Sequence, residues 1–194
     1  MQDDGLRRAV TIVGLANLGW FGVEFAVARH IGSVALFADS IDFLEDAAIN
    51  GLIVLALGWS AARRARVGML LAAILLVPAV AAIWTAWHKL NVPVPPEPRL
   101  LSATGLGALV VNLGCAMLLA RYRHNGGSLT RAAFLSARND VAANVAIIAA
   151  GLATMWWLSP WPDLLVGVGI AAMNATAARE VWEAARSEQN EAHN

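Results

Sequence analysis

Apolar residues run along this chain in long blocks. They do not alternate with polar residues at the period of two that a half-buried strand requires. Six blocks stand out, at roughly 9–28, 33–62, 67–87, 101–120, 132–157 and 162–186. Each is about 20 residues or longer, enough to cross a hydrocarbon core of about 30 Å at about 1.5 Å per residue. Lipid cannot satisfy open backbone groups, so each block is expected to be a helix. The expected fold is all-α: a polytopic integral membrane protein of six transmembrane helices, in a single transmembrane domain spanning 1–194. The third block, Val67–Trp87, is uncharged, and Pro78 inside it predicts a bend. The connection NVPVPPEPR between the third and fourth blocks is expected to be stiff. Only a short polar tail follows the sixth block, so no soluble C-terminal domain is expected.

Charge sets the orientation. Arg7, Arg8, Arg63, Arg64, Arg66, Arg121, Arg123, Arg131, Arg179 and Arg186 fall on one side of the six-helix plan, and only Arg29, Lys89 and Arg99 on the other. The side richer in Lys and Arg is cytoplasmic by the positive-inside rule, which puts both termini in the cytoplasm. Trp87, Trp156, Trp157 and Trp161 then form an aromatic belt at the outer interface. The N-terminus is acidic before it is basic and no A-x-A cleavage site ends the first block, so that block reads as a retained helix, not a signal peptide.

Composition agrees. The chain is 58% hydrophobic and 14% charged, with a formal net charge of zero. No basic surface points to nucleic acid, and the single cysteine, Cys115, excludes an intrachain disulfide or a multi-cysteine zinc site. Cys115 reads as packing in preference to ligation. His30, His88, His124 and His193 fall at helix ends or in the tail and read as solvated or interfacial. Gly105, Gly107, Gly167 and Gly169 are expected to permit close helix packing.

Charged groups inside a bilayer are costly, at roughly 2.5–3.5 kcal/mol each, and mark function. The second block carries Asp39, Asp42, Glu45 and Asp46. At 100° per residue, Asp39, Asp42 and Asp46 fall within about 60° of arc, with Glu45 about 60° off the Asp42 side. The fifth block places Ser136 and Asp140 four apart on one face, with Asn144 one turn on. Asn17 and Glu24 in the first block are also co-facial. Asn17 suits a hydrogen bond between helices, and Glu24 a structural partner or a proton relay. Depth offers an independent check. Counted from the outer side, Asp42 and Asp46 lie about 14–20 Å in, and counted from the inner side Asp140 lies about 12 Å in. These depths nearly coincide, so two antiparallel helices would present three carboxylates to one point. Mutual repulsion and desolvation oppose keeping all three charged there without a cation. A metal ion, or protons alternating with one, resolves the conflict. Arg138 is two residues from Asp140, points roughly 160° away from it and is expected to snorkel to the interface.

The run GSVALFADSIDFLEDA resembles the second-helix signature of the cation diffusion facilitators, with Asp42 and Asp46 at the two ligand positions and Asp39 at the preceding Asp. The run FLSARNDVAANVAII resembles the family's fifth-helix signature, usually His-x-x-x-Asp, with Asp140 at the Asp and Ser136 where His is usual. The first block, and the sixth with WPD at Asp163, are also similar. The resemblance implies a transporter, not an enzyme: a metal(II)/proton antiporter exporting Zn, Co, Cd, Fe or Mn from the cytoplasm, sited in a cell membrane such as the bacterial inner membrane. It implies Asp42, Asp46 and Asp140 as ligands, completed by Ser136 or a water it holds. Asp39, Glu45, Glu24, Asn17 and Asn144 would support the site or relay protons. The expected partners are the divalent ion, protons, the lipid bilayer and a second copy of the chain, held through transmembrane helices. The family's C-terminal domain and His-rich fourth-to-fifth loop have no counterpart; that loop reads RYRHNGGSLTR. Other readings of the same carboxylates are a cation channel without proton exchange, an intramembrane aspartyl enzyme and a non-transporting membrane subunit.

Overall fold

The structure is a computed structural model. Its description covers residues 2–55, 80, 83–91, 93–121, 127–173, 176 and 179, with side chains described for all of these but 2–4, 53, 55 and 127–139. Every regular element among the described residues is helical: α1 (Gln2–Ile31), α2 (Val34–Leu55), α3 (83–91), α4 (Pro98–Ala120), α5 (Gly127–Trp156) and α6 (Trp161–Met173). The expected bend at Pro78, most of the third block, the last residues of the second and the final turns of the sixth lie outside the described residues.

Helix boundaries follow capping chemistry more than hydropathy. α1 begins at Gln2, seven residues before its apolar block. It ends with Arg29 and His30 in the last turn and with Gly32 at φ 65°, a left-handed conformation that stops the helix without the strain a side chain would bring. Ser33 follows as the N-cap of α2, its hydroxyl accepting from the Leu36 N–H at 3.1 Å. α4 starts at Pro98, three residues earlier than expected. Glu97 caps it, accepting from the N–H groups of Arg99 (3.1 Å) and Leu100 (2.5 Å), and Pro98 supplies a preset φ where no amide hydrogen is needed. α5 starts at Gly127 and not near 132, so its first turn is built from loop-like residues.

The α1–α2 pair is an antiparallel hairpin, and the α4–α5 pair is another. Contacts at glycines fix the register. Gly14 faces the Asn50 Cβ, where a Cβ on the glycine would sit 3.3 Å away, and Gly105 lies against Ile147, where it would sit 2.8 Å away. Gly107 makes room for the Trp20 ring, bringing α1 onto α4, and Gly151 for Ser102, bringing α5 onto α4. Gly167 of α6 lies against the first turn of α2, at Val34 and Ala35. The expectation of close packing at Gly105, Gly107 and Gly167 is met, but Gly169 has nothing within 4 Å among the described residues.

Apolar packing concentrates at the two ends. Leu36, Ile41, Leu101 and Ile147 anchor a cluster toward the α1–α2 turn, and Val10, Val13, Ala116, Leu119 and Cys115 anchor a second toward the other end. Leu15, Leu106, Val110 and Met117 point outward on the same helices. In lipid such side chains gain nothing by turning inward, so the specificity of assembly rests on close packing and on polar contacts.

Candidate metal centre

The polar contacts lie between the two apolar clusters, on the inward faces of α1, α2, α4 and α5. Asn17 of α1 donates from Nδ2 to Oδ2 of Asp46 on α2 at 3.3 Å, and its Oδ1 accepts from the Cys115 thiol of α4 at 3.6 Å. Three helices are thereby joined through one buried asparagine. Asn17 serves as the interhelical hydrogen bond expected of it. Cys115 is buried packing, as expected, with a weak hydrogen bond added. Asp46 is held from its own helix as well, where Asn50 Nδ2 donates to its backbone oxygen at 2.7 Å.

Asp140 stands on α5 facing α2. Asp42, Asp46 and Asp140 lie within electrostatic reach of one another in all three pairings. Asp39 and Glu45 act on Asp42 and on Asp140 as well. The two helices therefore bring the acidic groups together at one level of the bundle. Among the described side chains no three His, Cys, Asp or Glu groups are drawn tightly enough together to enclose a metal ion. The carboxylates converge but do not close into a shell.

The surrounding groups divide. Asn144 is fully buried, but its Nδ2 donates to the Asp140 backbone oxygen at 2.6 Å, not to the carboxylate, and its Oδ1 has no partner. It holds the helix turn that carries Asp140. Asn112 of α4, which the sequence reading passed over, is buried at the same interface with an unpartnered Oδ1. Glu24 and Asp39 are both fully buried, on α1 and α2. Ser136 and Arg138 lie on the described backbone of α5, but their side chains are outside the description. His30 and His88 are exposed, as expected, and His124 and His193 lie outside the described residues.

A second polar cluster was not legible in the sequence. Asp163, at the start of α6, is fully buried and accepts from the Ser33 hydroxyl (2.6 Å) and the N–H groups of Val34 (2.9 Å) and Ala35 (3.2 Å). Lys89 of α3 completes it, donating from Nζ to Asp163 Oδ2 at 2.8 Å and to the Gly32 carbonyl at 2.6 Å. Lys89, counted in the sequence only for its side of the membrane, is 8% exposed and ion-paired. The cluster caps α2 with a carboxylate from another helix and ties α2, α3 and α6 together. Val34, Ala86 and Leu164 pack beside it. The only local signals were the Gly-Ser before α2 and the Pro-Asp opening α6, which mark helix starts but not their meeting. The predicted aromatic belt gathers at this end, with Trp87, Trp156, Trp157 and Trp161 all exposed.

The geometry is that of a helical membrane domain with acidic groups at its centre, and comparison with known proteins assigns it. Residues 10–187 match the cation efflux transmembrane domain, so the chain belongs to that family, the cation diffusion facilitators, and is a membrane protein. It is similar to the zinc transporter ZitB of Escherichia coli (strain K12) and to that of Shigella flexneri, 26% identical to each over 206 aligned residues. Each alignment covers 98% of this chain and 63% of the relative, so the chain spans less than two thirds of those proteins' length. Two of the described helices, Gly5–Ile31 and Pro98–Ala120, are long and apolar enough to cross a membrane on length and composition alone.

Proposed function

We propose that the chain exports divalent transition-metal cations from the cytoplasm in exchange for protons, by alternating access. One observation carries the reading. In a cation efflux domain, acidic groups of α2 and α5 converge in the membrane interior, where ionised carboxylates need a cation to neutralise them. Asp42, Asp46 and Asp140 are the ligands in this reading, and Ser136 or a water on it completes a near-tetrahedral set. Asn17 orients Asp46, Asn144 steadies the turn of Asp140, and Glu45 supplies further negative charge. Ligands must be deprotonated to hold metal, so metal entry expels protons and proton entry expels metal. Oxygen-rich ligation accepts Zn, Co, Cd, Fe or Mn. The relatives' name, zinc transporter, favours zinc, with cobalt next to it.

The same reading has six membrane spans with both termini in the cytoplasm of a bacterial inner membrane, placing the α1–α2 turn and the Asp163 cluster outside. The alternation of the hairpins and the exposed tryptophans at that end support it. A second copy docks through the third helix, where Ile83, Trp84 and Trp87 are exposed. Cysteines placed along 67–87 should crosslink between protomers at helical spacing, and single-molecule counting of monomers in native membranes would refute the dimer.

The test of function is flux into proteoliposomes across a panel of divalent ions, with and without an imposed proton gradient. Metal flux driven uphill by protons is expected. Flux indifferent to the gradient would make the protein a channel. Absence of flux with cleavage of a membrane substrate, or with neither activity, would replace transport altogether.

A further inference from the structure

The α1–α2 hairpin repeats its central contact two helical turns nearer the turn. Asn17 meets Asp46, and seven residues up α1 and seven back along α2 the same register brings Glu24 to Asp39. The two carboxyl groups lie within hydrogen-bond reach of each other and both are 0% exposed. All four of their oxygens are sealed from solvent, and none receives a hydrogen bond from an N–H or O–H donor among the described residues.

The groups facing the pair make matters worse for it. Asp42 lies one turn along α2 and acts on Glu24, and Asp140 of α5 acts together with Asp39. On α4, Cys115 is directed to Asn17. The basic groups at this end are committed or turned away: Lys89 is bonded to Asp163 and Gly32, and Arg29 and His30 are exposed. Buried polar atoms in native proteins find partners, and orphaned ones call for a ligand or a function. Two carboxyl groups on two helices, in a low dielectric and beside further carboxylates, must be neutralised, by protons or by a cation from outside, and no basic group among the described residues does it. Carboxylate oxygens with the remaining positions filled by water are a standard environment for a hard divalent ion.

We propose that Glu24 and Asp39 form a second station for the divalent cation, between the Asp42–Asp46–Asp140 cluster and the α1–α2 turn. The inference rests on the transport reading, in which that cluster holds the ion first. Asp39 lies about 4.5 Å along the helix axis from Asp42 and about 8 Å from the start of α2, so the station is one short step from the cluster on the path to the turn. An ion leaving the cluster is taken over by carboxylates already within its field and does not face the apolar end of the bundle unaided.

The experiment uses the full chain in nanodiscs and Mn²⁺ as the probe, counted by electron paramagnetic resonance. The Asp42→Ala/Asp46→Ala/Asp140→Ala variant removes the first site and is expected to keep one weaker Mn²⁺. Adding Glu24→Gln and Asp39→Asn is expected to abolish that binding. In the otherwise unaltered chain, Glu24→Gln or Asp39→Asn alone should lower the bound ions by one and slow flux at least tenfold. These amides keep the shape of the acids and relieve their repulsion, so folding is expected to survive. A triple variant that binds no Mn²⁺, or binding unaffected by the two amides, overturns the station. So does a change in proton release with the ion count intact, which would make the pair a proton carrier. Binding of two ions by a chain that transports none would sustain the station and refute the transport reading.

Discussion

α2 carries two buried acidic environments, and the chain treats them in opposite ways. At its N-terminus Asp163 is surrounded by donors: a serine hydroxyl, two backbone amides and the Lys89 ammonium. Both carboxylate oxygens are engaged, and the positive end of the helix dipole adds to the neutralisation. Farther along, Glu24 and Asp39 have no donor among the described residues, and Asp42, Asp46 and Asp140 face one another across two helices. Asn17 donates to Asp46 at 3.3 Å. A buried acid whose charge is answered by the chain itself is structural. Glu24 and Asp39, with no donor among the described residues, depend on a proton or a cation for neutrality. On the proposed function, the difference marks scaffold from transport site where burial alone does not, since Glu24 and Asp39 are as buried as Asp163.

The largest expected effect tests the acids that α2 and α5 bring together. Asp42→Ala, Asp46→Ala and Asp140→Ala should each abolish metal flux in proteoliposomes while the protein still inserts and purifies. Glu45→Ala should keep measurable flux, because Glu45 lies about 60° off the Asp42 side of the acidic face. Wild-type flux in Asp46→Ala or Asp140→Ala would remove those residues from the site.

The answered acid should respond in stability. Asp163→Ala leaves Lys89 buried without its partner and two amides of α2 uncapped. Breaking a buried pair from one side costs about 3–5 kcal/mol. A clear fall in the thermal midpoint in detergent is expected, and Lys89→Met added to Asp163→Ala should restore part of it by removing the stranded charge. Equal stability of Asp163→Ala and the parent would mean the cluster is not a structural tie.

How far the two environments were legible follows from what each depends on. The carboxylates of α2 and α5 announce themselves because a charge in an apolar block is anomalous on its own, and the co-facial spacing of Asp39, Asp42 and Asp46 needs only the helical period. Asn17 was found for the same reason. The Asp163 cluster depends on three segments meeting, and nothing in the spacing of Ser33, Lys89 and Asp163 encodes that meeting. Lys89 in particular sits where an interfacial lysine is ordinary. The pairing of Glu24 with Asp39 required the hairpin register, which a contact such as Gly14 with Asn50 fixes and hydropathy does not. Helix starts departed from the apolar pattern at Gln2, Pro98 and Gly127, and at Pro98 the Glu97 cap is the reason.

Proton competition is a smaller and graded effect. Protons and metal contend for the same oxygens, so apparent metal affinity should rise with pH and level off once the ligands are free of protons. The acids titrate as a set, not one by one. Adding metal to the protein in weak buffer should release protons, and Asp140→Asn should release fewer per bound ion where binding survives. Affinity independent of pH, with no proton release, would turn the reading from antiport to a channel.

The smallest expected change concerns which ion is preferred. Ser136 stands on α5 one helical turn before Asp140 and so shares its face. The family resemblance puts a histidine there. A hydroxyl, or a water it holds, is a hard oxygen donor, whereas imidazole is a borderline donor that suits zinc. With Ser136 the site is all oxygen and should discriminate weakly among Zn, Co, Fe, Mn and Cd. Ser136→His adds one nitrogen ligand at the edge of the cluster without removing any carboxylate, so transport should persist. The ratio of Zn to Mn flux, measured under one proton gradient with both ions present, should rise several-fold. Imidazole must also be neutral to bind, so the gain for Zn should shrink as the pH of the metal-loading side falls. A ratio unchanged across that pH range would mean that residue 136 does not reach the ion, and the set of ligands would reduce to the three aspartates and water.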